Sequence, residues 1–180
     1  MKNRIIILLI CLILIIPVIF LSYSFMKRSL APDTLYLDKA VVTCEIEKII
    51  TGSNIVSLKV RNTGNTESYI RLILSAHWED EEGKTIGRPA SFPNISITSD
   101  WIKDPNSQTY YCKVPKAPNA VTPELLASIV TLTETVIDDT TTAYLVIDAA
   151  AESIQSLPDL SVEESWNVIT ENHTIISTKE

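Results

Sequence analysis

The sequence predicts an all-β protein: a jelly-roll or Ig-like antiparallel β-sandwich with a short C-terminal helix, preceded by one N-terminal transmembrane or signal helix. Three observations carry that prediction. Apolar residues in the body recur with period two, as in Ile70, Leu72, Leu74, Ala76 and Trp78, with Arg71, Ser75 and His77 on the opposite face. Turn-forming residues separate such runs, at Asn62-Thr63-Gly64-Asn65, Glu81-Glu82-Gly83-Lys84 and Asp104-Pro105-Asn106-Ser107. The long unbroken apolar stretch, Ile5 to Met26, stands at the N-terminus.

That stretch accounts for the positive mean hydropathy of +0.17. A helix needs about 20 apolar residues to cross a bilayer core of about 30 Å. Lys2 and Arg4 precede the segment, so the N-terminus is expected inside and the body outside the cytoplasm. Two fates are open. Lys27 and Arg28 mark the boundary of a retained single-pass anchor contacting the membrane through residues 5–26. Ser22-Tyr23-Ser24 instead offers small residues for cleavage between Ser24 and Phe25, which would release a secreted protein. The expected organisation is anchor or signal peptide 1–28, tether 29–39, sandwich 40–168 and flexible tail 169–180.

Charge follows the same division. The net charge of −7 includes Lys2, Arg4, Lys27 and Arg28, so the remainder carries −11. Such a body repels nucleic acid and anionic headgroups, and no nucleic-acid partner is expected. The body holds two cysteines, Cys44 and Cys112. An exported chain permits a disulfide between them, and two small buried thiols are the other reading.

Along the body, Val41–Ile50 is rich in β-branched residues, and Asn54–Arg61 alternates with Val56, Leu58 and Val60 on one face. Pro115–Pro123 is too proline-rich for a central strand and reads as an extended connection. Ala127–Thr135 and Ala143–Ile147 are further strands, separated by Asp138-Asp139-Thr140. Ser161-Val162-Glu163-Glu164 fits a capping box opening a short helix after Pro158, with Trp166 free to pack against the sandwich. Glu171–Glu180 reads as a frayed end.

Little of this text carries chemistry. All four glycines lie in or beside turns, which leaves none for a phosphate loop. The two histidines, His77 and His173, show no zinc-hydrolase spacing. The acids Glu79 to Glu82 are contiguous, so their side chains diverge as on a solvated hairpin tip instead of converging on calcium. Tyr110-Tyr111 reads as one ring facing the core and one facing out. No Gly-x-Ser-x-Gly elbow occurs. No cofactor, metal or catalytic residue is expected.

Three segments in order resemble a known family: the secreted or surface β proteins of Gram-positive bacteria related to the biofilm fibre protein TasA and to camelysin. Val60–Leu74, VRNTGNTESYIRLIL, is similar to its strand–turn–strand with an Asn-Thr-Gly turn. Trp101–Leu126, WIKDPNSQTYYCKVPKAPNAVTPELL, is similar to its hairpin, Tyr-Tyr-x-Lys strand and proline-rich connection. Ala150–Trp166, AAESIQSLPDLSVEESW, resembles its closing strand and Trp-bearing helix. The resemblance implies a jelly-roll-like sandwich, export, and a non-enzymatic role in the cell envelope or biofilm matrix. Self-assembly by β-strand addition, or an envelope protein partner, goes with it. An anchored partner- or ligand-binding ectodomain is the first alternative. A camelysin-like metalloprotease is the second, for which the chain offers no zinc motif.

Overall fold

The computed structural model describes residues 40–138 and 141–179. The expected N-terminal helix 1–28, the tether 29–39 and the Ser24–Phe25 cleavage site lie outside the described residues, as do Asp139 and Thr140. Residues Ala40–Glu180 form one compact unit, mostly β, with antiparallel sheets and one short C-terminal helix. No helix among the described residues is long and apolar enough to cross a membrane.

The strands are β1 (Cys44–Thr51), β2 (Asn54–Asn62), β3 (Ser68–Glu79), β4 (Thr85–Ile86), β5 (Trp101–Lys103) and β6 (Thr109–Cys112). They continue with β7 (Val130–Thr131), β8 (Glu134–Asp138), β9 (Thr141–Gln155), β10 (Val168–Glu171) and β11 (Thr174–Thr178). Helix α1 (Asp159–Trp166) lies between β9 and β10. A three-stranded sheet has the order β1-β2-β7. A six-stranded sheet, curled into a half-barrel, has the order β5-β6-β3-β9-β8 with β4 on β3. Among the described residues β10 and β11 pair only with each other.

The larger core is filled by Ile55, Leu58 and Val60 of the three-stranded sheet and Ile70, Leu72, Leu74, Tyr110, Cys112 and Ile147 of the six-stranded one. Alternation along β3 holds as expected, with Ile70, Leu72 and Leu74 buried. Trp78, expected on that face, is only half-buried, and its indole N–H donates to the Pro89 carbonyl at 3.3 Å.

β2 departs from simple alternation. Val56, expected beside Leu58 and Val60, is exposed, and Ile55 is buried instead. The cause is a bulge: Ile49 pairs with Ser57 but Ile50 pairs with Ile55, so β2 holds one extra residue there. An inserted residue reverses the inward phase on one side of it.

The proline-rich connection is extended and follows β2. Thr122 N–H donates to the Val60 carbonyl, and Leu125 N–H to that of Leu58. Asn62 ties this region together. It is fully buried, its amide donates to the Thr66 and Lys116 carbonyls at 2.8 and 2.7 Å, and its carbonyl accepts from Gly64 N–H at 2.9 Å. Gly64 is required at this turn because a Cβ there would collide with the Val41 carbonyl oxygen. Val41 and Thr43 in turn accept the N–H groups of Asn65, Thr63 and Gly64.

Three further expectations are corrected. The segment 169–180 is not a flexible tail. Val168 and Ile175 are fully buried, and the chain from Val168 to Thr178 is a hairpin. Ser161 does not cap α1: the helix begins at Asp159 directly after Pro158, no side chain caps it, and Ser161 N–H already donates to the Pro158 carbonyl. β9 is far longer than Ala143–Ile147, because it pairs with the whole length of β3, from Ser68↔Gln155 to Glu79↔Tyr144.

Candidate functional site

The outer face of the six-stranded sheet was expected to meet solvent. Over half its length it does not. Cross-strand register places Ile102, Tyr111, Arg71 and Glu152 in one row, with Tyr69 and Ile154 paired beside it. Onto these residues pack Val162 and Trp166 of α1, Val168 of β10 and Ile175 of β11. Tyr110 and Tyr111 do point to opposite faces, but both are buried, one in each core.

Arg71 links the two layers. Its guanidinium lies 4.8 Å from the centre of the Trp166 ring and donates twice to Glu152 Oε2, at 2.9 and 2.6 Å. A flat cation over an indole face is attracted by the ring quadrupole. Glu163 joins α1 to β10 by accepting from Thr170 N–H at 3.0 Å. Ile175 N–H donates to the Lys113 carbonyl, which fixes β11 beside the end of β6.

At the open side of this second core stands a polar cluster built by local rules. Asn172 and His173 both take positive φ, 49° and 60°, between the paired residues Glu171 and Thr174. Two consecutive left-handed residues make the tight turn whose twist suits a hairpin, and Asn and His tolerate that region better than most residues. The turn presents the imidazole of His173 between two carboxylates. Nδ1 is 2.8 Å from Asp159 Oδ1, in the first turn of α1. Nε2 is 3.0 Å from Glu67 Oε2, at the start of β3. Tyr69 O–H donates to Asp159 Oδ1 at 3.1 Å, and Ser156 O–H donates to Glu67 Oε2 at 2.9 Å.

The electrostatics follow. The Glu67 contact, with Asp159 adding to it, raises the His173 pKa above its ordinary 6.5. The same His173 contact, helped by Ser156, lowers Glu67. Burial, then Asp159, pushes the Tyr69 phenol up. Glu67 and Asp159 meet opposite nitrogens of one ring, so they do not converge on a single ion. No group of three His, Cys, Asp or Glu side chains suited to a metal occurs among the described residues. The cluster joins the loop before β3, the first turn of α1 and the tip of the β10–β11 hairpin. Ser156 gives its hydroxyl hydrogen to a carboxylate and has no base of its own.

The residues singled out from sequence fall elsewhere. Cys44 and Cys112 are free thiols, half-buried and buried, both against the larger core, and burial raises both pKa values above 9.0. His77 is half-buried between Glu79 (2.8 Å) and Asp148 (3.2 Å), not simply solvated. Asp80 organises the acidic tip: its carboxylate accepts from the N–H groups of Glu82 and Lys84. Glu67, Asp159 and His173 were not foreseen as a group. Their one local signal is the Asn172-His173 pair between the β-branched runs Val168-Ile169-Thr170 and Thr174-Ile175-Ile176; Glu67 lies 106 residues from His173.

The three-stranded sheet presents a different kind of feature. Among the described residues β1 is ladder-paired on one side only; near its other side runs β9, whose Ile147 carbonyl accepts from the Lys48 ammonium at 2.6 Å, and β1 carries the exposed Ile49 and Ile50. Val56 and Ile129 are exposed nearby. In comparisons with known proteins, no family model, curated protein or solved structure matches this chain.

Proposed function

We propose that the chain is an exported, non-enzymatic structural module of the cell envelope or biofilm matrix, which associates by adding a β-strand at β1. The observation that carries this reading is the edge of the three-stranded sheet. β1 spans eight residues and carries two exposed isoleucines, Ile49 and Ile50, just before its last residue, Thr51. A strand edge offers unpaired N–H and C=O groups to another chain, and proteins that avoid such pairing place charge or proline there. Glu45, Glu47 and Lys48 supply charge to β1 as far as its fifth residue; the last three residues, Ile49 to Thr51, carry none.

Two further observations support the reading. The larger core lies between antiparallel sheets, as in a jelly-roll or Ig-like sandwich, the fold of the TasA and camelysin-related proteins that three segments of this chain resemble. The apolar segment 5–26 with Lys2 and Arg4 before it suits delivery of the domain outside the cytoplasm, anchored or released after Ser24.

The test is assembly. The purified full chain at rising concentration should give oligomers or fibres by sedimentation and electron microscopy. The double substitution Ile49→Lys, Ile50→Lys should abolish them while circular dichroism stays unchanged. A native chain that remains monomeric at every concentration overturns the reading.

A further inference from the structure

We propose that His173, held as an imidazolium between Glu67 and Asp159, is a proton-operated clasp that fastens the β10–β11 hairpin and α1 onto the outer face of the six-stranded sheet. Geometry makes the argument. Both ring nitrogens lie within hydrogen-bond distance of a carboxylate oxygen, 2.8 and 3.0 Å. A carboxylate only accepts, so each contact needs an N–H from the ring. Imidazolium has two N–H groups and neutral imidazole has one. Losing one proton therefore turns one contact into lone pair against lone pair and halves the bridge.

The groups facing His173 come from two elements and the loop between β2 and β3. Glu67 precedes β3, Asp159 belongs to α1, and the Tyr69 ring of β3 lies 5.6 Å from the imidazole. Both charged groups in contact with the ring are acidic. The bridge thus favours the cation from both sides. Its position gives it leverage. Among the described residues the hairpin has no strand partner beyond its own two strands, and its tip is tied down by this ring.

His77 supplies a contrast within the same molecule. It also stands between two carboxylates, Glu79 and Asp148. Those lie on β3 and β9, which are already joined over twelve residue pairs. Loss of that bridge frees no element, whereas loss of the His173 bridge loosens the cover of the second core.

The experiment is hydrogen exchange of the full chain, followed by mass spectrometry over residues 168–178 between pH 5.5 and 9 and corrected for the intrinsic rate. Protection of the hairpin should fall as pH rises, by about tenfold for each unit by which folding elevates the ring's pKa. His173→Gln should flatten that dependence, and His77→Gln should leave it as in the native chain. Protection independent of pH in the native chain, or a dependence that survives His173→Gln, overturns the proposal. Should His173→Gln fail to fold, NMR titration decides. The native ring should titrate above 6.5 with both nitrogens protonated, and Glu67→Gln should lower its pKa. A ring that titrates at or below 6.5, or one indifferent to Glu67→Gln, also overturns it.

Discussion

The two cores of this domain are built on opposite faces of the same strands, and they are held by different physics. The larger one joins two sheets through aliphatic side chains such as Leu58, Ile70 and Leu72, all buried to within 1%. Its ionisable members do not titrate near neutrality: burial raises Cys44 and Cys112 above 9.0 and pushes Tyr110 up to about 12. The smaller core has six buried residues, two of them tyrosines and one a tryptophan, and its margin is closed by Arg71, Glu163 and the His173 bridge. Apolar burial needs no particular protonation state, whereas a charge-assisted margin does. One domain therefore contains a layer indifferent to pH and a layer answerable to it.

The contrast is broken most severely at Trp166. Replacing a buried tryptophan by alanine costs about 3–5 kcal/mol, and here it also removes the ring beneath Arg71. Trp166→Ala should release α1, β10 and β11, seen as lost exchange protection over 168–178, while β3 and β9 stay protected. Leu72→Ala tests the other layer. Its cost of about 2–5 kcal/mol should lower the midpoint of global unfolding, with protection falling in both sheets and the hairpin together. If both variants lower protection everywhere alike, the two cores are one cooperative unit and the comparison fails.

These outcomes bear on what the sequence could reveal. Period-two alternation made β3 legible because the inward residues Ile70, Leu72 and Leu74 lie in an unbroken register with β9. The hairpin loops at Asp104–Ser107 and Glu81–Lys84 were legible because the turn chemistry is local. Val56 was misplaced because a bulge belongs to a strand pair, and the extra residue shows only against Ile49 and Ile50. The outer face of β3 read as solvent-facing because Arg71 and His77 are polar, and nothing local tells that Arg71 lies over a tryptophan ring. The hairpin of residues 168–178 was missed because its strands are short and hold only four aliphatics, Val168, Ile169, Ile175 and Ile176, and the residues that bury Val168 and Ile175 lie largely on other elements. Of the polar cluster only Asn172-His173 left a trace, since Glu67 and Asp159 reach it through the fold.

A smaller effect is expected at Gly64. A methyl group there must displace the Val41 carbonyl, and overpacking of this kind costs about 1–3 kcal/mol. Gly64→Ala should loosen the stretch from Val41 to Thr43, which the turn holds through backbone hydrogen bonds, and so weaken β1 at its start. Exchange protection should drop in β1 and the 62–65 turn while the second core is unaffected. A drop in the hairpin at 168–178 would mean that the two layers are coupled through β2.

The smallest effect is the pH dependence of the second layer, and its sign is fixed on both sides. His173 has its pKa raised by folding, so its contribution is complete below 6.5 and is lost as pH rises through the elevated value. Glu67 has its pKa lowered, so its contribution is complete above 4.5 and is lost as pH falls through the depressed value. Between those limits the clasp holds. Its contribution is modest because both side chains keep part of their exposure, 34% for His173 and 44% for Glu67, and water screens them. Salt should reduce it further. Hairpin protection should therefore follow a plateau with a fall on each side, the alkaline one removed by His173→Gln and the acid one by Glu67→Gln. Protection in β3 beside Leu72 should stay level across the alkaline fall, because neither thiol nor phenol in that core ionises there. A parallel fall in β3 would show that the clasp holds the whole domain together, and the division between a pH-indifferent and a pH-responsive layer would be lost.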